Sequence, residues 1–375
     1  MSTSIRTAQI QDLPQLLQIE QICFEQDRLS KRSFVRFIKE GSHDLIVLLE
    51  DKQIRAYALV LYRNGTNLAR LYSIAVLPQF QGKGLARKLL DAVEASAKKH
   101  FCVFIRLEVN VSNRPAIALY QKYGYLGISH IPGYYEDGSD AFRMEKRLQK
   151  ISSKKIKRSP YYQQTMDFTC GPASLMMALK TLDKDYKMNR REELQIWREA
   201  TTIFMMAGHG GCSPYGLALS AWNRGFQVTL YVNQADTPFL DGVRGEEKKS
   251  VVKLVHESFL KQIKTTDIKV KVHDLTADEL GKILDTGVPI LALISTWQLN
   301  RNKIPHWVFV SAADEKFVYI NDPDIHDDPH LSQTDYEQVP IERNLFFNMA
   351  KFGQKKLRCL LLIRGRSHEH RQVQS

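Results

Sequence analysis

The stretch QTMDFTCGPASLMMALK, Gln164–Lys180, decides how this chain is divided. Cys170 stands directly before Gly171-Pro172 and a run of apolar residues at helical spacing, which places it at a helix N-terminus. The positive end of a helix stabilises a thiolate, so sulfur in that position is a better nucleophile than sulfur in a core. Such a nucleophile needs a base to take its proton, and the base needs a third group to orient it. Among the eleven histidines, His306 meets the requirement: it begins a predicted strand in NKIPHWVFVSAADEKFVYINDPD, and Asp322 ends the next one. In a hairpin the two face each other. Gln164, upstream of the cysteine, is placed to aim its amide at the oxyanion that an attacked carbonyl develops, beside the backbone N–H of Cys170.

Outward from this stretch the organisation follows. A chain of 375 residues exceeds one comfortable core, so two domains are expected. The seam is QKISSKKIKRSP, residues 149–160, a polar and lysine-rich connector closed by a proline. Domains are therefore expected over 1–148 and 161–366, with a disordered tail at 367–375. The net charge of +12 belongs to the first domain and the connector, since residues 161–375 are close to neutral. A local excess of this kind reads as a solvated basic face and not as a specific nucleic-acid-binding fold. No apolar run is long enough for a membrane span, and no secretory pattern opens the chain, so a cytoplasmic protein is expected. Five scattered cysteines without a CxxC pair argue against disulfides and zinc. His209 and Cys212 supply two metal ligands without partners, and no metal is expected.

The first domain reads as α+β around one sheet. DLPQLLQIEQICFE is an amphipathic helix; DLIVLLE, IRAYALVLY, LARLYSIAVL, VFIRLEV and AFRMEKRL are strands; RPAIALYQKY is a helix with Pro115 in its first turn. In the second domain GPASLMMALKTL and GLALSAWNRGF are helices and QVTLYV a strand. PILALIST, HWVFVSAA, FVYIND and RCLLLI suggest an antiparallel sheet. Residues 236–268 are charged and weakly patterned, and are expected as an insertion or mobile loop.

Between the strand ending near Leu77 and a long amphipathic helix lies Gln79-Phe80-Gln81-Gly82-Lys83-Gly84. Glycines there let backbone approach a ligand, and the N–H groups of the helix start favour a phosphate. The spacing fits neither a dinucleotide-binding Rossmann loop nor a P-loop. It matches the Q/R-x-x-G-x-G/A signature of the GNAT acetyltransferases. With RLEVNVSNRPAIALYQKYGYLGISHIPGYYEDGSDAFRMEKRL, residues 4–148 resemble the ribosomal-protein-alanine N-acetyltransferase branch. That resemblance implies acetyl-CoA as acyl donor. Its contacts would be Ile74, Ala75 and Val76 on the strand, Gln81, Gly82, Lys83, Gly84, Leu85 and Ala86 under the pyrophosphate, and Asn113 and Tyr120 along the pantetheine arm. It also implies Glu108 as general base and Tyr120 as general acid, acting on the terminal amine of a protein or peptide, ribosomal or leader-bearing. Asn110 and Leu29 depart from the arginine and tryptophan common in the branch.

The order Gln…Cys…His…Asp, with CGPA, HWVFV and NDPD, resembles the papain-like peptidases that remove double-glycine leaders from bacteriocins, over residues 161–365. It implies Gln164, Cys170, His306 and Asp322 as the catalytic set and cleavage after small residues. Thr169 stands where many of these peptidases carry aspartate. A peptide-binding module that does not cut, and an amidase or transglutaminase-like acyl transfer, are the alternatives the residues leave open.

Overall fold

The computed structural model describes residues 3–149, 156–202, 210–302, 304–325 and 330–366, and the chain divides into two compact units, Met1–Lys150 and Ile151–Ser375. The expected tail, His209 and half of the expected connector, residues 150–155, lie outside the described residues. Lys157, Ser159 and Pro160 bond within the second unit: Lys157 O and Pro160 O accept from the side chains of Gln338 and Asn321, and Ser159 Oγ meets Asn321. No described helix is long and apolar enough to cross a membrane.

The first unit runs β1 (Thr3–Thr7), α1 (Leu13–Cys23), α2 (Lys31–Lys39), β2 (His43–Glu50), β3 (Gln53–Tyr62), β4 (Leu68–Val76), α3 (Leu85–Lys99), β5 (Phe104–Asn110), α4 (Arg114–Lys122), β6 (Leu126–Ile131) and β7 (Ala141–Arg147). The seven strands form one sheet in the order β1-β2-β3-β4-β5-β7-β6. Strand side chains alternate between faces, and both faces of β2 are apolar, so both are covered. Leu45, Val47 and Leu49 pack with Leu16, Ile19, Phe34 and Phe37 of α1 and α2. Ile46 and Leu48 pack with Leu85, Leu89, Leu90 and Val93, which recur along one side of α3. Each such buried side chain contributes about 1.5–3 kcal/mol over its exposed state.

All pairings are antiparallel except β4 with β5. That parallel ladder joins Leu68–Arg70 to Phe104–Arg106 and then stops, while β4 runs on to Val76 and β5 to Asn110. Opposite, the β3–β4 register shifts: Leu59 pairs with Ser73 and Val60 with Leu71, leaving Tyr72 as the extra residue of a bulge, which bends the strand. The sheet is therefore split in its middle.

The second unit runs α5 (Cys170–Leu182), α6 (Arg190–Ala200), α7 (Pro214–Asn223), β8 (Phe226–Val232), α8 (Glu246–Ile263), β9 (Lys269–Val272), α9 (Ala277–Asp285), β10 (Ile290–Ser295), α10 (Trp297–Asn300), β11 (Pro305–Ala313), β12 (Phe317–Asn321), β13 (Val339–Glu342), α11 (Arg343–Met349) and β14 (Cys359–Arg366). Its sheet has the order β13-β12-β11-β10-β14-β8-β9, antiparallel apart from β8 with β9. Helix α5 is buried on every side from Cys170 to Leu179, as its mostly apolar composition requires, and its one polar side chain there is satisfied: the Ser174 hydroxyl donates to Trp307 O of β11 at 3.1 Å. Gly171 lets that strand approach: a Cβ there would lie 3.2 Å from Trp307 Cδ1 and 3.1 Å from Leu217 Cδ1.

For residues 236–268 the structure corrects the expectation of a mobile loop. Most of them form α8, which turns Val252, His256, Phe259 and Ile263 inward. The spacing is helical, but a histidine interrupts the apolar stripe and the first turns are charged, so hydrophobic periodicity alone passes over it.

Candidate active sites

In the second unit four distant positions meet. Cys170 is the first residue of α5 and His306 the second of β11; Asp322 directly follows β12. His306 Nε2 lies 2.7 Å from Asp322 Oδ1, and the Cys170 sulfur acts on the same ring, favouring its charged form. With Nε2 engaged by the carboxylate, Nδ1 is left for sulfur. Burial alone would push the imidazole down, but the charges of Asp322 and Cys170 override it, and His306 is raised well above its ordinary value. Burial pushes the other thiols up, Cys23 to about 11 and Cys102 to about 12, with Cys212 and Cys359 in the same direction.

Gln164 is buried next to this group. Its backbone N–H donates to Pro323 O at 2.9 Å and its Nε2 to Asp324 Oδ1 at 3.2 Å. One short loop, 322–324, thus carries both the partner of His306 and the contact to Gln164. Tyr161 Oη fixes that loop by donating to Asp322 O at 2.8 Å. Cys212 is buried, its carbonyl accepts from Trp307 Nε1 at 3.2 Å, and the described residues hold no cluster of three or more metal-ligating side chains.

In the first unit the glycine loop leads into α3. Gly82 and Gly84 adopt left-handed backbone with φ of 75° and 78°, and Gly84 is the N-cap of α3, contributing no side-chain cap. Open space surrounds the place where either would carry a Cβ. The start of α3, with no side-chain cap, and the open space at Gly82 and Gly84 lie at the positive end of a helix, while the Gln81 N–H is already given to Pro78 O. Ile74, Ala75 and Val76 pair with β3 on one side and lie beyond the last β4–β5 pair on the other. Gln81 Nε2 donates to Val76 O, and Lys83 Nζ sits over the Phe80 ring.

Asn113 caps α4, its side chain accepting from Ala116 N at 3.2 Å. Tyr120, near the end of that helix, is buried, and burial raises its phenol far above the ordinary range, so it stays protonated. Glu108 lies on β5 just past the point where β4 and β5 part. Its carboxylate accepts from Arg70 of β4 and Arg143 of β7, each at 2.9 Å, with all three side chains almost fully buried. Arg70 also donates to Tyr134 Oη at 2.8 Å. Sequence reading named Glu108 but missed both arginines. The one available signal was the rarity of basic residues inside apolar strands, at LARLY and AFRME.

Two α+β units, one around a split sheet and one around a cysteine–histidine–aspartate group, make up the chain. Residues 13–125 match the acetyltransferase (GNAT) family and residues 159–364 the Peptidase_C39 like family. The N-alpha-acetyltransferase of Saccharolobus solfataricus is 33% identical over 156 residues, spanning 39% of this chain and 93% of that protein. The N-alpha-acetyltransferase of Sulfurisphaera tokodaii is 32% identical over 151 residues, spanning 37% and 90%. Among solved structures, the ribosomal-protein-S18-alanine N-acetyltransferase from Escherichia coli is 27% identical and covers 42% of this chain and 100% of its own, with a TM-score of 0.37. The chain belongs to the GNAT acetyltransferases through its first unit and to the Peptidase_C39 like family through its second.

Proposed function

We propose that the chain is a bifunctional enzyme, an acetyl-CoA-dependent N-acetyltransferase of protein or peptide amino termini joined to a thiol peptidase that cleaves after small residues. The placement of His306 between Asp322 and Cys170 carries the second half of this reading. His306 takes the thiol proton, and the thiolate adds to the scissile carbonyl carbon. The C=O π pair moves to oxygen, where Gln164 Nε2 and the Cys170 N–H donate. Collapse expels the amine, which takes the proton back from His306, and water then releases the acyl group from sulfur by the same steps.

In the first unit the open space at Gly82 and Gly84, the uncapped amides of α3 and the β4 edge past Arg70 suit a diphosphate with an extended arm. Acetyl-CoA, when bound there, supplies an acetyl thioester. Tyr120, protonated by burial, gives a proton to the leaving sulfur. Glu108 takes the proton of the incoming ammonium through water, loosening its hold on Arg70 or Arg143 as it does so. The two halves form a sequence of reactions: cleavage exposes an α-amine, and acetylation caps it.

Incubation with acetyl-CoA and glycine-containing peptides, read by mass spectrometry, tests this. The expected products are fragments with acetylated new ends. Cys170→Ala should abolish fragments while leaving acetylation of a pre-cut peptide intact, and Tyr120→Phe should do the reverse. Uncut peptide with an intact acetyl transfer would leave the second unit as a binding module.

A further inference from the structure

The segment bearing Gln164 is held by two carboxylates that the cysteine–histidine–aspartate group does not use. Glu193, in the first turn of α6, is fully buried. It accepts hydrogen bonds from Thr165 N at 2.8 Å, Thr165 Oγ1 at 2.7 Å, Tyr162 Oη at 3.0 Å and the Thr169 hydroxyl. Its donors flank Gln164 on both sides and reach the residue before Cys170. Taking a carboxylate out of water costs several kcal/mol, and a single surface helix gains nothing from it; bonds made to four donors on one functional segment offset the cost.

Asp324 grips the side chain itself. It accepts from Gln164 Nε2, and its own N–H donates to Asp322 Oδ1 at 3.1 Å. A carboxylate only accepts, so the Gln164 amide must turn its nitrogen and not its oxygen toward Asp324. That nitrogen carries two hydrogens. One is taken, and the other is left to point at a carbonyl under attack.

We infer that Glu193 and Asp324 are positioning residues for the oxyanion donor: Glu193 fixes the backbone that carries Gln164, and Asp324 sets which way its amide faces. The inference rests on the reading of Cys170 as nucleophile and Gln164 as oxyanion donor. It deepens that reading by assigning two residues outside the four.

Two reactions of the same sulfur separate positioning from general damage. With a peptide aldehyde ending in glycinal, the thiolate forms a C–S bond and the carbonyl π pair moves to oxygen while His306 keeps its proton, giving a hemithioacetal oxyanion that needs the oxyanion donors. With iodoacetamide the thiolate displaces iodide and no oxyanion forms. In the full chain, Glu193→Ala and Asp324→Ala are expected to weaken aldehyde inhibition by ~10-fold or more, short of the ~10²–10³ that losing a donor outright costs. Iodoacetamide alkylation of Cys170 should stay within about twofold of wild type. Glu193→Gln should restore inhibition, because its oxygen still accepts from Thr165 N while its nitrogen donates to hydroxyls that can turn round. Thr165→Val, a surface change that removes one of the four bonds, should show a partial loss and serves if Glu193→Ala does not fold. Adding either alanine substitution to Gln164→Ala, where the donor itself is already gone, should cost nothing further. Unchanged aldehyde inhibition in Asp324→Ala and Thr165→Val, or alkylation falling in step with it, overturns the inference. Wild-type Cys170 alkylating no faster than Cys23 overturns the underlying reading instead.

Discussion

His306 shows how one side chain is set by opposing surroundings. Burial disfavours its charge, while Asp322 and the sulfur of Cys170 favour it more strongly. Replacing Asp322 with asparagine removes the larger of those two charges and leaves burial in place. The raised value then falls, so the alkaline limb of the cleavage rate against pH should move to lower pH, with a rate loss of about 10²-fold or more. Steady-state rates between pH 5 and 9 check this; an unmoved limb would show that Asp322 does not tune the imidazole. Glu108 is set differently, with both oxygens held by buried guanidiniums. Glu108→Gln should destabilise the first unit by about 3–5 kcal/mol, the cost of leaving buried charge without its partner. Denaturant unfolding measures that loss. A drop in acetylation rate well below the folded fraction would then be due to proton transfer.

At the scale of elements, what was legible depended on how local the signal is. Strands β2 to β5 and helices α3, α4 and α5 follow from apolar spacing and turn residues, and the four positions of the second site follow from chemistry that nucleophile and base require. Glu193 was not legible. In RREEL it reads as one more carboxylate on a solvated helix, and its partners Tyr162, Thr165 and Thr169 lie on another segment, joined to it only by packing. Thr169, the departure from the peptidase pattern, brings a carboxylate to the start of α5 by reaching for one on α6. Helix α8 was hidden by His256, which lies buried against Tyr215 with ring centroids 4.8 Å apart. Burial lowers its proton affinity below the ordinary imidazole value, so the unfolded chain binds the extra proton more readily. Stability is thus fully present above the unfolded value and is lost as pH falls through the region below about 6.5. Melting of the second unit should drop between pH 7.5 and 5.5, and by less in His256→Leu; equal drops would place the effect elsewhere.

Over the whole molecule, each unit has its own sheet and its own core clusters, which is why damage to one chemistry should spare the other. The parallel ladder at the middle of the first sheet has a further consequence. Three residue pairs and the Arg70–Glu108 ion pair stitch together what are otherwise two half-sheets, like pages bound at one end of the spine. A guest laid between the pages adds the missing stitches, and its binding energy becomes cohesion. Coenzyme A at a hundred times its dissociation constant should add about 2.7 kcal/mol, raising the first melting transition by roughly 5–10 °C and leaving the second where it was.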